Sequence, residues 1–436
     1  MRVLVISHGH PAFSIGGAEV ASHALFRGLG AMRDTEAFYL ARAAQPLRRH
    51  EDTPLASFRQ GAHEVFLHAE EYDHWWLSNR ALDDLNGPFA DALRTLRPDV
   101  IHFHHVIGLG VEAIARARRV LPDAAIVVTF HEYLAICAHH GQMVKTKAGR
   151  LCRAASPADC AACFPERTAA EFFRRERFLK DHLALADAFV SPSRFLRDRY
   201  VAWGLPEARF HVIENGLDSA VRAPVRTLPR GGRRARFGFF GQITHFKGVA
   251  VLLDAVTRVP DAVWGDDAQL DIFGGNLEHQ PETFQAQFRS LLDKAGRRAR
   301  LHGPYQGAEL PRLMAGIDWV VMPSVWWENA PVVIQEAFLH RRPLIVSDIG
   351  GMAEKVRDGI DGLHFRTASA QDLADTLARA IGERGLWRQL SQAAPTPLDI
   401  PSAAALHRTL YRKLLAARHG GTTPRAARSR ARALAA

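Results

Sequence analysis

Short continuous apolar runs, bounded by Gly, Pro or Asp, recur along the whole chain. Val3–Ile6, Val100–Phe103, Ala125–Thr129, Ala188–Val190 and His211–Ile213 fall in the first half. Phe237–Phe240, Leu270–Phe273, Arg300–His302, Trp319–Met322 and Leu344–Val346 fall in the second. They are continuous rather than alternating, as expected of strands covered on both faces. Between them lie stretches of helical period, among them Ala18–Leu29, Val249–Val256, Glu309–Ala315 and Val332–Phe338. Buried strands alternating with helices predict an α/β protein with parallel sheets built from βαβ units.

Val221–Arg236 interrupts this pattern with Pro, Gly and Arg and no apolar period, and reads as a linker. Two Rossmann-like domains facing each other follow, residues 1–220 and 237–395 around a linker at 221–236. Ala394-Pro-Thr-Pro397 marks a second break, and a helix, 396–419, is expected to cross back to the first domain. A basic tail, 420–436, carries Arg425, Arg428, Arg430 and Arg432 among alanines.

Composition narrows the picture little. The 436 residues are 47% hydrophobic and 23% charged, which excludes wholesale disorder. The formal net charge of +10 favours anionic partners without choosing among them. The opening apolar run is too short for a signal-peptide core, and no stretch approaches a membrane span. A cytoplasmic protein is therefore expected, with any membrane contact peripheral, on the inner face.

The chemistry gathers at the ends of the apolar runs. Gly16-Gly17-Ala18-Glu19 opens the first helix, where glycines let backbone N–H groups approach an anion or sugar. Gly241-Gln242 and Lys247-Gly248 follow the first strand of the second half, and Gly274-Gly275 follow the next. Ligands of open α/β sheets collect at such carboxyl ends. Glu328-Asn-Ala-Pro331 and Glu336 flank a helix start, because Pro331 suits a first turn and not a helix interior. Two carboxylates there, with the N–H groups near Asn329 and Ala330, suit the reading of a polyol.

Four cysteines, Cys137, Cys152, Cys160 and Cys163, lie within 27 residues, spaced C-x14-C-x7-C-x2-C. That spacing fits a structural Zn site, with an iron–sulfur cluster as the alternative and free thiols as the plain reading. The surrounding insertion, 137–165, has no evident helix or strand of its own. Arg167–Leu185 then mixes Phe172, Phe173 and Phe178 with Arg174, Arg175, Arg177 and Lys180. It reads as an amphipathic helix with a basic face, or as a membrane-surface helix.

Taken in order, GGAEV, HEY at His131, VSPSRF, VIENG, GQITHFKG, FGG, HGPY and the Glu328-x7-Glu336 pair resemble glycosyltransferase family 4, of GT-B fold. The resemblance covers nearly the whole chain. It implies a retaining hexosyltransferase that uses a nucleotide-diphosphate sugar, without a catalytic metal or other cofactor. It assigns Glu336 to the ribose, and Glu328, Asn329, Ala330 and His131 to the transferred sugar. Lys247 would neutralise the diphosphate, and Gly16, Gly17, Gly274 and Gly275 would shape the donor site. Gln242, assigned to the donor site, departs from the basic residue the family often has there, which leaves more phosphate charge to Lys247 or to an arginine elsewhere.

The expected partners are a nucleotide sugar and a glycan or lipid-linked acceptor, in surface polysaccharide or glycolipid synthesis, with an anionic membrane surface nearby. An epimerase or phosphorylase of the same fold is the alternative, although no pyridoxal phosphate lysine context is evident. Dispersed basic residues and the lack of a binding module argue against a nucleic-acid partner.

Overall fold

A computed structural model describes residues 1–13, 16–43, 55–57, 63–218 and 221–420. The first sheet contains β1 (Arg2–Ser7), β2 (Glu36–Ala43), β3 (Leu55–Ser57) and β4 (Glu64–His68). A two-stranded ribbon, β5 (Tyr72–Asp73) and β6 (Ser78–Asn79), stands apart from it. The first sheet continues with β7 (Val100–Phe103), β8 (Ala125–Thr129), β9 (Ala188–Ser191) and β10 (Phe210–Val212). Its order is β10-β9-β8-β7-β1-β2-β4-β3, parallel except where β3 meets β4.

The second sheet contains β11 (Arg236–Phe240), β12 (Gln269–Phe273), β13 (Ala299–Gly303), β14 (Trp319–Met322), β15 (Leu344–Ser347) and β16 (Gly362–Phe365). Its order is β13-β12-β11-β14-β15-β16, all parallel. The two sheets are the two Rossmann-like units of a GT-B fold. In each, the chain crosses over once from the first strand outward and then returns to its other side, which makes the first strand central.

The apolar runs form strands because both faces of each sheet are covered. Leu4 and Ile6 enter one core with Ile101, Phe103 and Val128, whereas Val3 and Val5 enter another with Leu25, Leu29 and Tyr39. The helix Ile400–Gly420 completes this second core through Ala404, Leu410 and Tyr411, so the end of the chain covers the first sheet. It lies close to the helix Gly17–Gly30, where a Cβ at Gly28 would meet Ala404 Cβ and Ile400 Cγ2 at 2.9 Å. Residues of the basic tail beyond 420 lie outside the described residues.

Three expectations are corrected. β2 was not among the apolar runs read as strands, because Glu36, Arg42 and its alanines dilute the run; burial between β1 and β4 makes it a strand. The cysteine insertion has structure of its own, an antiparallel bridge between Val144 and Leu151 and a helix Pro157–Cys163. Ser156 caps that helix through its side chain, which offsets the lack of a buried face. The basic–aromatic helix, Ala169–Leu183, does not display all its aromatic and basic residues. Phe172 is buried, and Arg175 is buried with its guanidinium bonded to the carbonyls of Trp75, Leu134 and Ala135. Phe173, Arg174 and Arg177 do face solvent.

Candidate functional site

Parallel register brings the carboxyl ends of β1, β7 and β8 together, and each is followed by a polar residue of the same kind. His8 follows β1, His104 and His105 follow β7, and His131 and Glu132 follow β8. His8, His105, His131 and Glu132, with Gly17, Ala18 and Glu19, form one wall of a cavity of about 290 Å³, whereas His104 is buried and does not line it. Asn215, Glu328, Asn329, Ala330, Pro331 and Val332 line the same cavity, so it lies between the two sheets.

The first-sheet wall is a set of hydrogen-bonded pairs. His8 Nε2 lies 3.2 Å from Glu19 Oε1, and the His8 and His105 rings are 4.6 Å apart. His131 Nε2 lies 3.1 Å from His104 Nδ1. Burial pushes His131 down to about 3, so its ring is neutral across the ordinary pH range. Burial also pushes Glu132 up to about 8, only partly opposed by the Leu134 N–H and by Arg175.

The opposite wall is the loop after β14. Glu328 is buried and its Oε1 accepts three bonds, from Lys247 Nζ at 2.6 Å, Ser324 Oγ at 2.8 Å and Trp326 Nε1 at 2.9 Å. Burial would raise its carboxyl, but Lys247 and these donors outweigh that and hold it below the ordinary value. Asn329 ties the walls together, since its Nδ2 donates to the His131 carbonyl at 3.0 Å and its Oδ1 accepts from Ser193 Oγ at 2.8 Å. Glu354 adds a second tie by accepting the N–H groups of Arg194 and Phe195 at 2.8 and 2.6 Å, at the start of a helix.

Glu336 is different. It stands in the second turn of the helix Val332–Leu339 and lines a larger cavity, of about 630 Å³, beside Gly17, His23, Arg27, Gly216 and Gln335. Its carboxylate has no hydrogen-bond partner among the described residues, and burial alone pushes it up to about 7. An acceptor group set into a cleft without a donor is prepared for a ligand.

The glycines work by close approach. Gly16 caps the first helix, and a Cβ there would lie 2.4 Å from Glu19 Oε2. At Gly274 a Cβ would lie 1.9 Å from the Gly241 carbonyl oxygen, so only glycine lets the loops after β11 and β12 touch. Gly275 follows in the same loop. Gln242 is exposed just after β11 and lines neither cavity.

The structure thus brings together Gly17, His131, Glu328, Asn329 and Ala330, with Lys247 bonded behind Glu328 and Glu336 in the adjoining cavity. His8, Glu19, His105, Glu132 and Asn215 also line the site but carried no assigned role in the sequence. Their signal was position, immediately after an apolar run or within a short motif, which becomes meaningful only when the strands are known to be parallel neighbours.

The four cysteines are half-buried free thiols. Among the described residues only His10, His23 and Glu64 place three ligand-type atoms within 4.8 Å of one another. That group is a hydrogen-bonded set. Ala12 N–H donates to His10 Nδ1, so His10 Nε2 carries the proton that it gives to Glu64 Oε2 at 2.8 Å.

Residues 15–221 match the model of Glycosyltransferase Family 4, and residues 234–383 match that of Glycosyl transferases group 1. A D-inositol 3-phosphate glycosyltransferase of a Nocardioides species is 27% identical over 315 residues, 68% of this chain and 62% of that protein. An alpha-maltose-1-phosphate synthase of Mycolicibacterium smegmatis is 30% identical over 215 residues, 45% of this chain and 53% of that protein. The match thus spans less than two thirds of the length of these curated relatives. Among solved structures, sucrose-phosphate synthase from Thermosynechococcus elongatus superposes with a TM-score of 0.69 at 18% identity, covering 95% of this chain and 99% of that one. Anabaena HepE in complex with UDP gives 0.64 at 17% identity, covering 95% and 100%.

Proposed function

The chain belongs to glycosyltransferase family 4, and on that premise we propose that it moves a sugar from a nucleotide-diphosphate donor to a glycan or lipid-linked acceptor, with retention of anomeric configuration. The observation that carries the proposal is the contrast between the two carboxylates of the E-x7-E pair. Glu328 is bonded within the protein, whereas Glu336 faces a cleft with its acceptor capacity unused. A ribose supplies the vicinal hydroxyl donors that Glu336 lacks. In this reading residues 1–220 hold the acceptor and residues 237–395 the donor.

The reaction breaks the bond between the anomeric carbon and the diphosphate oxygen. Positive charge grows on the sugar and negative charge on the departing phosphate. Lys247, the backbone amides of Asn329 and Ala330, and the glycine turn at Gly16 and Gly17 favour that separation in the cleft between the two sheets. Glu328 positions Lys247 and contacts the sugar, and the neutral His131 offers it a hydrogen bond. The acceptor hydroxyl attacks from the face the phosphate leaves, and its proton passes to a phosphate oxygen. No metal takes part in the transfer. With Gln242 uncharged and exposed, more of the phosphate charge falls to Lys247 or to an arginine elsewhere.

A role in surface polysaccharide or glycolipid synthesis, on the inner face of a membrane, extends the reading. No helix among the described residues is long and apolar enough to cross a membrane. What supports surface contact is Phe173, exposed beside Arg174 and Arg177.

Calorimetric titration with nucleoside diphosphates and their sugars, followed by NMR of the product made from the sugar that binds, tests the function. Nucleotide binding and an anomeric centre of unchanged configuration are the expected results. An isomerised nucleotide sugar, or phosphorolysis of a glycan, would transfer the site to the epimerase or phosphorylase reading.

A further inference from the structure

Two side chains of the cavity's first-sheet wall, His105 and Glu132, take no part in the transfer step proposed above. His105 follows β7 and Glu132 follows β8, and these strands pair in parallel. Both residues line the cavity of about 290 Å³ that Glu328, Asn329 and Ala330 line from the second domain. Backbone donors fix what each side chain presents there. The Ile107 N–H donates to His105 Nδ1 at 3.2 Å, so the neutral ring carries its proton on Nε2. The ring is buried and packs on His8 at 4.6 Å. The Leu134 N–H donates to Glu132 Oε2, and the turn at Gly141 closes behind it, where a Cβ would lie 3.0 Å from that oxygen. The Tyr200 hydroxyl donates to the Glu132 carbonyl at 3.0 Å, and Asn329 holds the carbonyl of His131 beside it.

Glu132 Oε1 accepts no hydrogen bond from any described residue, and it lies 3.6 Å from His105 Nε2. A donor and an acceptor thus face each other across a gap too long for a hydrogen bond between them. One oxygen atom, at about 2.8 Å from each, closes it. The gap also selects the kind of group. An ammonium cannot accept from His105, and an ionised phosphate oxygen cannot donate to a carboxylate. A hydroxyl does both. Burial raises the Glu132 carboxyl to about 8, so around neutral pH a ligand meets it as acid and as carboxylate. A hydroxyl accepts from the first form and donates to the second.

We propose that His105 and Glu132 together bind one hydroxyl of the transferred sugar, and so select donors by the position of that hydroxyl. That the bound group belongs to the transferred sugar rests on the proposed function; the donor–acceptor pair does not.

Calorimetric titration of the full chain with UDP, GDP and ADP, and with their glucose and mannose derivatives, supplies the probe, the nucleotide sugar that binds most tightly. Glu132→Gln is the diagnostic variant. Its single carbonyl oxygen goes to the Leu134 N–H, which turns the NH2 group toward His105. It should bind the nucleotide sugar roughly ten- to hundredfold more weakly than the wild type and the matching nucleoside diphosphate equally well. His105→Phe, which keeps a ring against His8, should show the same split. Among the singly deoxygenated forms of that nucleotide sugar, one should bind wild type and Glu132→Gln alike, because it lacks the bridging hydroxyl. Nitrogen NMR of the histidines, with His105→Phe for assignment, should show the Nε2–H form of His105 in the unliganded wild type. Unchanged nucleotide-sugar affinity in both variants would mean that water alone occupies the gap, and would overturn the proposal. Equal losses with every deoxygenated form, or an Nδ1–H form of His105, would overturn it as well. A wild-type chain that binds none of these nucleotides would instead sink the donor reading, and with it the assignment to the transferred sugar, while the NMR result would still judge the pair.

Discussion

Lys247 Nζ donates to Glu328 Oε1 across 2.6 Å, joining the loop after β11 to the loop after β14. The pair lies at the central strands of the second sheet, where both loops reach the cleft. Neither charge waits alone for substrate. The carboxylate keeps the ammonium in place, and under the proposed function an arriving diphosphate would compete for it.

Lys247→Met should leave the buried Glu328 carboxylate with only Ser324 and Trp326 as donors. The loss of an ionic partner costs about 1–3 kcal/mol. Glu328→Gln should cost less, because an amide oxygen still accepts from all three donors. A double-mutant cycle by thermal unfolding should show coupling of about 0.5–3 kcal/mol between the two positions. Strict additivity would mean that the contact is not maintained in solution. Both single variants should also lose transfer.

Glu336→Gln should trade binding for stability. Its carboxyl is raised by burial to about 7 from an ordinary 4.5, so the folded chain retains a proton there that the unfolded chain has lost. Stability from this group is full below the ordinary value and is lost as pH rises through the raised one. The unliganded wild type should therefore lose stability over that window, and Glu336→Gln should lose less. Nucleotide affinity should fall by roughly ten- to hundredfold in Glu336→Ala, as expected for loss of a charge-assisted hydrogen bond. Unfolding midpoints at several pH values and a nucleotide titration check both halves.

Gly274→Ala should be destabilising despite the small change. The new methyl would sit 1.9 Å from the Gly241 carbonyl oxygen, a backbone atom that cannot swing aside. Overpacking of this kind costs about 1–3 kcal/mol. Denaturant unfolding should show an earlier midpoint, and nucleotide binding should weaken because the loop after β11 also carries Lys247.

Gly28→Val should loosen the helix Ile400–Gly420 from the first sheet. A Cβ placed there would lie 2.9 Å from Ala404 Cβ and Ile400 Cγ2, which leaves no room for a branched side chain. Faster proteolysis after the arginines of that helix is expected, with Arg408 and Arg412 losing their pairing to Asp34. An unchanged digestion pattern would show that the contact tolerates expansion.

Much of the molecule was legible in the chain itself. Val3–Ile6, Ala125–Thr129 and Trp319–Met322 are apolar without alternation, and a strand buried on both faces is the simplest structure that uses such a run. Pro331 placed Glu328 before a helix and Glu336 within it, because its ring and missing N–H forbid the reverse. These are local constraints, written in neighbouring residues. The site's remaining relationships are not local. His8, His105 and His131 meet only because β1, β7 and β8 are parallel neighbours, and Lys247 reaches Glu328 only because β11 and β14 pair. Trp327 reaches Cys152 only because the two domains dock. Such contacts join residues far apart in sequence, and burial of whole sheets and helices against one another decides them. Tertiary packing therefore chose the partners and made strands of β2 to β6, while the chain alone had specified most of the other strands, several helix starts and the residues available at their ends.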